Sequence, residues 1–260
     1  MKDIVFAIPS YRRADRQLAV RWLSRLGYRP SEIFVAVQSD EDRAAYSDAL
    51  RGVATVFGRN GVGVSFNRNQ CLSVRQDARL VMVDDGVRGV SVKTPQGKCE
   101  SVKTRERLDA MLSLMFDFAE RNRVDVFSLN NSSSGLCATP YDFIDHPYVS
   151  IFMGMMNRRV QFDSRVRFLE DVERACRILR GGGRTYRFGY AFPACEHGAE
   201  GGQHEFHSDP RKDYAFKHYI ATRYAERMSL NPPKKGHKGY WFTIDRNTYH
   251  RRTGVLFRKI

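Results

Sequence analysis

Short apolar runs alternating with helix-like stretches constrain this chain most. Ile4-Val5-Phe6-Ala7-Ile8 leads into a turn at Pro9-Ser10-Tyr11-Arg12, and Leu18, Trp22 and Leu26 then recur at the fourfold spacing of a helix stripe closed by Gly27. Ile33-Phe34-Val35-Ala36-Val37 runs into Gln38-Ser39-Asp40 and a short acidic helix near 41–50, with a third strand expected over 53–57. This β-α-β rhythm predicts a parallel sheet with helices packed on it. A glycine-rich loop at 58–63 precedes a helix over 64–74, which leads to Leu80-Val81-Met82-Val83-Asp84-Asp85-Gly86, an apolar strand that ends abruptly in two carboxylates. Ligands of open α/β sheets bind outside the carboxyl ends of strands, so acids delivered there point to a site; an ordinary Asp-Gly turn accounts for the same residues. The chain has no G-x-x-x-x-G-K-[ST] loop and no G-x-G-x-x-G in this region, so neither a P-loop nor a dinucleotide fingerprint is supported.

Residues 86–104 are basic and turn-rich and read as an excursion from the sheet. A helix over 105–121 turns Leu108, Met111, Leu112, Met115 and Ala119 inward, its methionines as core, and a strand over 124–129 ends in a polar loop from Asn130 to Gly135. Residues 148–154 read as a buried strand. Residues 168–180 read as a helix opened by Glu170-Asp171, where the helix dipole alone is a complete explanation of the acids. An aromatic strand over 186–194 is followed by a glycine- and histidine-rich loop containing His197, His204 and His207, and then by a helix over 214–228. After Pro232-Pro233 the tail interleaves Lys234, Lys235, Lys238, Arg246, Arg251 and Arg252 with Tyr240, Trp241, Phe242 and Tyr249. That mixture suits phosphate contacts and base stacking, and equally a solvated tail whose aromatics dock on the domain.

With 260 residues the chain is long enough to bury a substantial core as one α/β domain. Its 43 Lys and Arg against 29 Asp and Glu give a formal charge of +14, which selects polyanionic or phosphorylated partners. Five scattered cysteines without a C-x-x-C pair suggest neither a disulfide framework nor a four-cysteine zinc site, and fit a reducing cytoplasm. No signal-peptide core and no membrane-length apolar run is present, so a protein without a membrane partner is expected.

Taken in order, Pro9-Ser10-Tyr11-Arg12, Asp40, the Asn67-Arg68-Asn69-Gln70 helix and Asp84-Asp85 resemble the nucleotide-binding half of GT-A glycosyltransferases. The resemblance implies a mixed, mostly parallel sheet flanked by helices, in a single catalytic domain over 1–230 with a basic aromatic extension over 231–260 packed on or near it. It implies that the Ser10-Tyr11-Arg12 loop holds the nucleobase with Tyr11 stacked on it, that Asp40 bonds the base edge and that Arg68 approaches base or diphosphate. Asp84 would face ribose or sugar, and Asp85 would bind a divalent manganese or magnesium ion, with His204 or His197 from the late loop completing its shell. Asp171, with Glu170 as neighbour or substitute, would be the base that activates the acceptor hydroxyl.

Within that fold the chain resembles the phage and TET/JBP-associated DNA glycosyltransferases, through Ile8-Pro9-Ser10-Tyr11-Arg12, Val83-Asp84-Asp85, Phe168-Leu169-Glu170-Asp171 and the glycine-histidine loop. The implied activity is inverting transfer of a sugar from a nucleotide sugar, a UDP-sugar by expectation, to the hydroxyl of a hydroxymethylated pyrimidine in DNA. The implied place is the cytoplasm, that of an infected bacterial host if the protein is phage-derived. The same fold with a protein, glycan or small-molecule acceptor is a second reading. A two-metal nuclease using Asp84, Asp85, Glu170 and Asp171 is a third, and a non-catalytic nucleic-acid-binding module a fourth. Cys195, His197, His204 and His207 also carry zinc-ligand chemistry, at a spacing unlike that of common fingers. Oligomeric state is left open.

Overall fold

The computed structural model describes residues 2–94, 96–130, 141–195, 209–232, 241–244 and 250–253. The first half builds β1 (Ile4–Pro9), α1 (Leu18–Arg25), β2 (Ile33–Val37), α2 (Asp40–Ala49), β3 (Thr55–Gly58), α3 (Val64–Leu72) and β4 (Arg79–Val83). The expected βα units are all present, with boundaries displaced by one or two residues, as frayed ends commonly are. They are followed by β5 (Val87–Lys93), β6 (Cys99–Ser101), α4 (Arg105–Arg121), β7 (Val126–Leu129), β8 (Tyr141–Ile144) and β9 (Phe152–Met155). The remaining elements are α5 (Glu170–Arg180), β10 (Thr185–Phe188), β11 (Ala191–Cys195), α6 (Pro210–Arg223), β12 (Met228–Asn231), β13 (Trp241–Ile244) and β14 (His250–Thr253).

A nine-stranded sheet of order β14-β8-β10-β7-β9-β4-β1-β2-β3 forms the centre. β9 and β8 run against the other seven strands, which makes the sheet mixed and mostly parallel. Alternate residues of the central strands feed two cores. Phe6 and Ile8 of β1 join Val35, Val37, Val81 and Val83 under α1 and α4, where Met111 and Met115 are indeed buried. Val5 and Ala7 join Leu80 and Met82 under Cys71 and Leu72 of α3. Burial on both faces is why these strands read as unbroken apolar runs.

Two sequence expectations are refined. Residues 86–104 leave the large sheet as expected, but not as turns alone: β5 and β6 form a second, three-stranded sheet with β11. Val87, Val90 and Val92 of β5 are buried in the α1 core, and Gly89 breaks the alternation that would otherwise have announced the strand. The aromatic stretch 186–194 is not one strand either. It changes sheets at Gly189-Tyr190, where Gly189 N–H donates to the buried Asp142 carboxylate at 2.9 Å, so β10 stays in the large sheet while β11 crosses to pair with β5.

Downstream, α6 packs Ile220 and Tyr224 against Val172 and Cys176 of α5, β12 pairs with β13, and β14 lies antiparallel to β8 at the sheet edge. Among the described residues no helix is long and apolar enough to cross a membrane.

Gly154 of β9 sits under the Phe127 ring, and a Cβ there would lie 2.0 Å from a ring carbon. That ring is itself wedged edge-on against Phe116 and Phe188, so it has little room to yield. Gly154→Ala is therefore expected to destabilise the fold by about 1–3 kcal/mol through overpacking. An unchanged denaturation midpoint would show that the ring moves without cost.

Candidate active site

Chain connectivity reverses at β1, which has β2 on one side and β4 on the other. The crevice outside the carboxyl ends of β1 and β4 is thus the topological switch point. Ser10 follows β1 and Asp84-Asp85 follow β4 directly, so the predicted stretch ends at the switch point.

Asp85 is locked into the wall of that crevice. Its Oδ2 accepts from Ser10 Oγ at 2.7 Å and its Oδ1 from Arg13 Nη1 at 2.9 Å, with the carboxylate side chain only 10% exposed. Ser10 Oγ in turn accepts from Gln17 Nε2 at 2.8 Å. Since its own proton goes to Asp85, the buried Tyr46 hydroxyl at 2.8 Å must be the donor in their shared bond, while accepting from Arg13 N–H. Burial foremost pushes the Tyr46 phenol's pKa up, which keeps that proton in place.

Asp84 is in a different state. One oxygen accepts from Arg68 Nη2 at 3.0 Å, and its side chain is 32% exposed. Burial raises its pKa; Arg68 opposes this, and the nearby charges of Asp171 and Asp85 reinforce it. Asp171 itself stands in the first turn of α5, its Oδ1 accepting from Val172 N–H at 2.8 Å. Leu169, immediately before α5, adopts φ 58° and ψ 31°, a left-handed conformation a leucine rarely takes. This bend is what starts α5 at Glu170, leaving both acids at its positive end.

Arg68 joins the two halves. Its Nε donates to Glu170 Oε1 at 2.7 Å, its Nη2 to Asp84 and its Nη1 to Met82 Sδ at 3.5 Å, and the Arg68 side chain itself is buried. Burial alone would lower its pKa, but Asp84, Glu170 and Asp171 outweigh that and raise it. In this arrangement Arg68 is a strut between β4 and α5.

Its neighbours on α3 behave alike. Asn67 Nδ2 donates to the Ser10 carbonyl at 2.9 Å, and Gln70 Nε2 donates to Val37 O at 3.0 Å while its Oε1 accepts from Arg59 N–H. Ser65 Oγ donates to Val166 O, and Asn69 exchanges two bonds with the Phe162 backbone. One helix thus holds the ends of β1, β2, β3 and β4 and the approach to α5.

The remaining predicted residues lie on the rim. The Arg12 guanidinium sits 4.9 Å from the centroid of the half-buried Tyr11 ring, covering one of its faces, and Arg12 has φ 52°. Asp40 is exposed at the start of α2, ion-paired with Arg43 and accepting from Asn60 Nδ2 at 2.9 Å, which ties α2 to the loop after β3. His204, His197 and His207 lie outside the described residues. Among the described residues no group of three His, Cys, Asp or Glu side chains is arranged around a common metal position.

Arg13, Gln17 and Tyr46 were not anticipated from sequence, since nothing local links residues so far apart. The supports on α3 did leave a trace: Asn67-Arg68-Asn69-Gln70 is too polar for a helix buried between sheet and loop unless every group has a partner.

No curated protein matches the sequence. Among solved structures, CMP:2-keto-3-deoxy-manno-octonic acid synthetase complexed with CTP aligns over 86% of this chain and 99% of its own, at 12% identity and a TM-score of 0.42. The family model for the TET-associated glycosyltransferases matches residues 4–199, from β1 past β11 and across every acid described above. The chain belongs to the TET-associated glycosyltransferase family.

Proposed function

We propose that the protein moves a sugar from a nucleotide sugar, a UDP-sugar by preference, to the hydroxyl of a hydroxymethylated pyrimidine in DNA, with inversion. The observation that carries this reading is the bridge Arg68 makes from Asp84 to Glu170, the neighbour of Asp171, at the switch point of a glycosyltransferase-family chain. The formal charge of +14 supports a polyanionic acceptor. A base stacked inside a duplex hides its substituent, so the acceptor nucleotide would be taken out of the stack or met single-stranded.

In this reading Asp171 accepts the acceptor's proton, the freed oxygen forms a bond to the anomeric carbon, and the bond from that carbon to the diphosphate oxygen breaks with its electron pair leaving on the diphosphate. Glu170, engaged by Arg68, positions Asp171 rather than substituting for it. The rim formed by Tyr11, Arg12 and Asp40 receives the nucleoside, and Ser10 acts through Asp85.

Carboxylate oxygens suit magnesium or manganese, and such sites commonly combine one or two carboxylates with substrate phosphates. Asp84, with one oxygen uncommitted among the described residues, fits that pattern better than Asp85, both of whose oxygens are bonded. A bound divalent cation would supply neutralisation of the charge developing on the leaving diphosphate. A two-metal nuclease would need Asp85 and Glu170 as open ligands, and both are engaged.

The test is incubation of the full chain with a nucleotide-sugar panel and hydroxymethylated or unmodified DNA, with and without chelator. Release of nucleoside diphosphate, with a matching mass gain on the modified nucleoside, is expected in the hydroxymethylated samples, and chelation is expected to suppress it. Absence of release with every donor would sink the reading.

A further inference from the structure

The outer side of α6 differs from that of an ordinary solvated helix. Arg211, Tyr214 and His218 recur along it at helix-stripe spacing with Tyr219 beside them, all exposed, while Asp213, Ile220 and Tyr224 lie buried on the opposite side. Tyr214 and Tyr219 are two of the few large apolar side chains the surface shows, and the Tyr214 ring lies 5.4 Å from that of His218.

This stripe continues onto the loop that leads into α5. Phe216 of α6 packs 6.3 Å from Phe168, which precedes Glu170-Asp171, and at the far end Arg180 of α5 lies 4.3 Å from the Tyr224 ring centroid. The two helices therefore run side by side in the same direction, and the first half of α6 flanks the end of α5 where Asp171 stands. Arg165 and Arg167 are exposed on the loop. Arg223 lies 3.8 Å from Asp163, and the pKa of Arg165 is raised by Asp163 foremost and also by Tyr219, so loop and helix face form one continuous band.

The acids of the band are already engaged. Asp163, its side chain 10% exposed, takes both bonds of the Arg165 fork. Asp209 caps α6 by accepting from the Arg211 and Lys212 N–H groups, and Asp213 is buried and paired with Lys217. Glu226, past the end of α6, is paired with Arg180. Against Asp163, Asp209 and Asp213 stand Arg165, Arg167, Arg211, Lys212, Lys217 and Arg223, so the band is net positive, and the Arg211 guanidinium has no carboxylate among the described residues. Cations interleaved with exposed rings complement a phosphate backbone that also offers base faces.

We propose that acceptor DNA lies along this band, with backbone phosphates on Arg167 and Arg211 and an unstacked base against Tyr219. A strand held there passes the first turn of α5, which brings its bases to the side of the crevice that carries Asp171. The inference rests on the reading that the acceptor is DNA.

Binding of the full chain to labelled, unmodified single-stranded and duplex DNA would be followed by fluorescence anisotropy over a salt series, without donor. Arg167→Gln and Arg211→Gln are each expected to weaken binding several-fold and to lower the slope of log K against log salt by about 1. Tyr219→Ala should weaken single-stranded DNA at least about fivefold, the loss of one base stack, with the slope kept. All three positions are exposed, and thermal unfolding of each variant would show that the fold is intact. Wild-type binding that all three variants match in affinity and slope would overturn the band and leave the acceptor reading standing. A wild-type protein that binds neither DNA at low salt would overturn both.

Discussion

Asp171→Asn is expected to lower turnover by about 10²–10⁴-fold, the contribution of a positioned general base. The change keeps the shape and the acceptor oxygen that receives Val172 N–H, so α5 should start where it does now. It also removes a negative charge that faces Asp84. Donor binding should therefore hold or tighten while the chemical step slows, separating kcat from KM. Single-turnover kinetics with saturating donor would read the step directly. A variant within tenfold of wild-type turnover would exclude Asp171 as the base.

Arg68→Ala should produce the largest loss of stability of any single change at the site. The guanidinium is bonded to Glu170 and Asp84, and removing it strands one wholly buried carboxylate and one partly buried one. Breaking a buried pair in this way costs about 3–5 kcal/mol. For a chain of this size that is a fall in Tm of roughly 6–20 °C. Arg68→Lys is expected to lie between, because one ammonium cannot reproduce the fork that reaches both acids. Unfolding followed by circular dichroism would decide it, and an alanine variant with unchanged Tm would mean that α3 does not hold α5 to β4.

These two residues also mark how far sequence could see. The strands that end at Ser10 and Asp84 were legible because burial on both faces writes an apolar run, and the acids stood out against it. Asp171 was reachable only through family resemblance, since an acid in a first helical turn is explained by the dipole alone. Arg68 was legible as a site residue but not as a strut, because its partner Glu170 lies 102 residues away. The hydroxyl chain through Ser10 and Tyr46 spans 36 residues and carries no local pattern. The strand β5 was hidden by Gly89, and the separation of β10 from β11 by a sheet change that only tertiary pairing reveals.

The pairing of β14 with β8 bears on how the chain reaches this state. β8 is made just past the middle of the chain and acquires its outer neighbour only after α5, β10, α6 and the β12–β13 pair have been synthesised. Until then its outer edge presents unpaired amide and carbonyl groups, a template for another chain. During ribosomal synthesis, at roughly 5–20 residues per second, the nascent domain would pass through a window in which self-association competes with closure. A chain shortened before His250 would remain in that window, and its defect would be recovery in soluble form rather than catalysis.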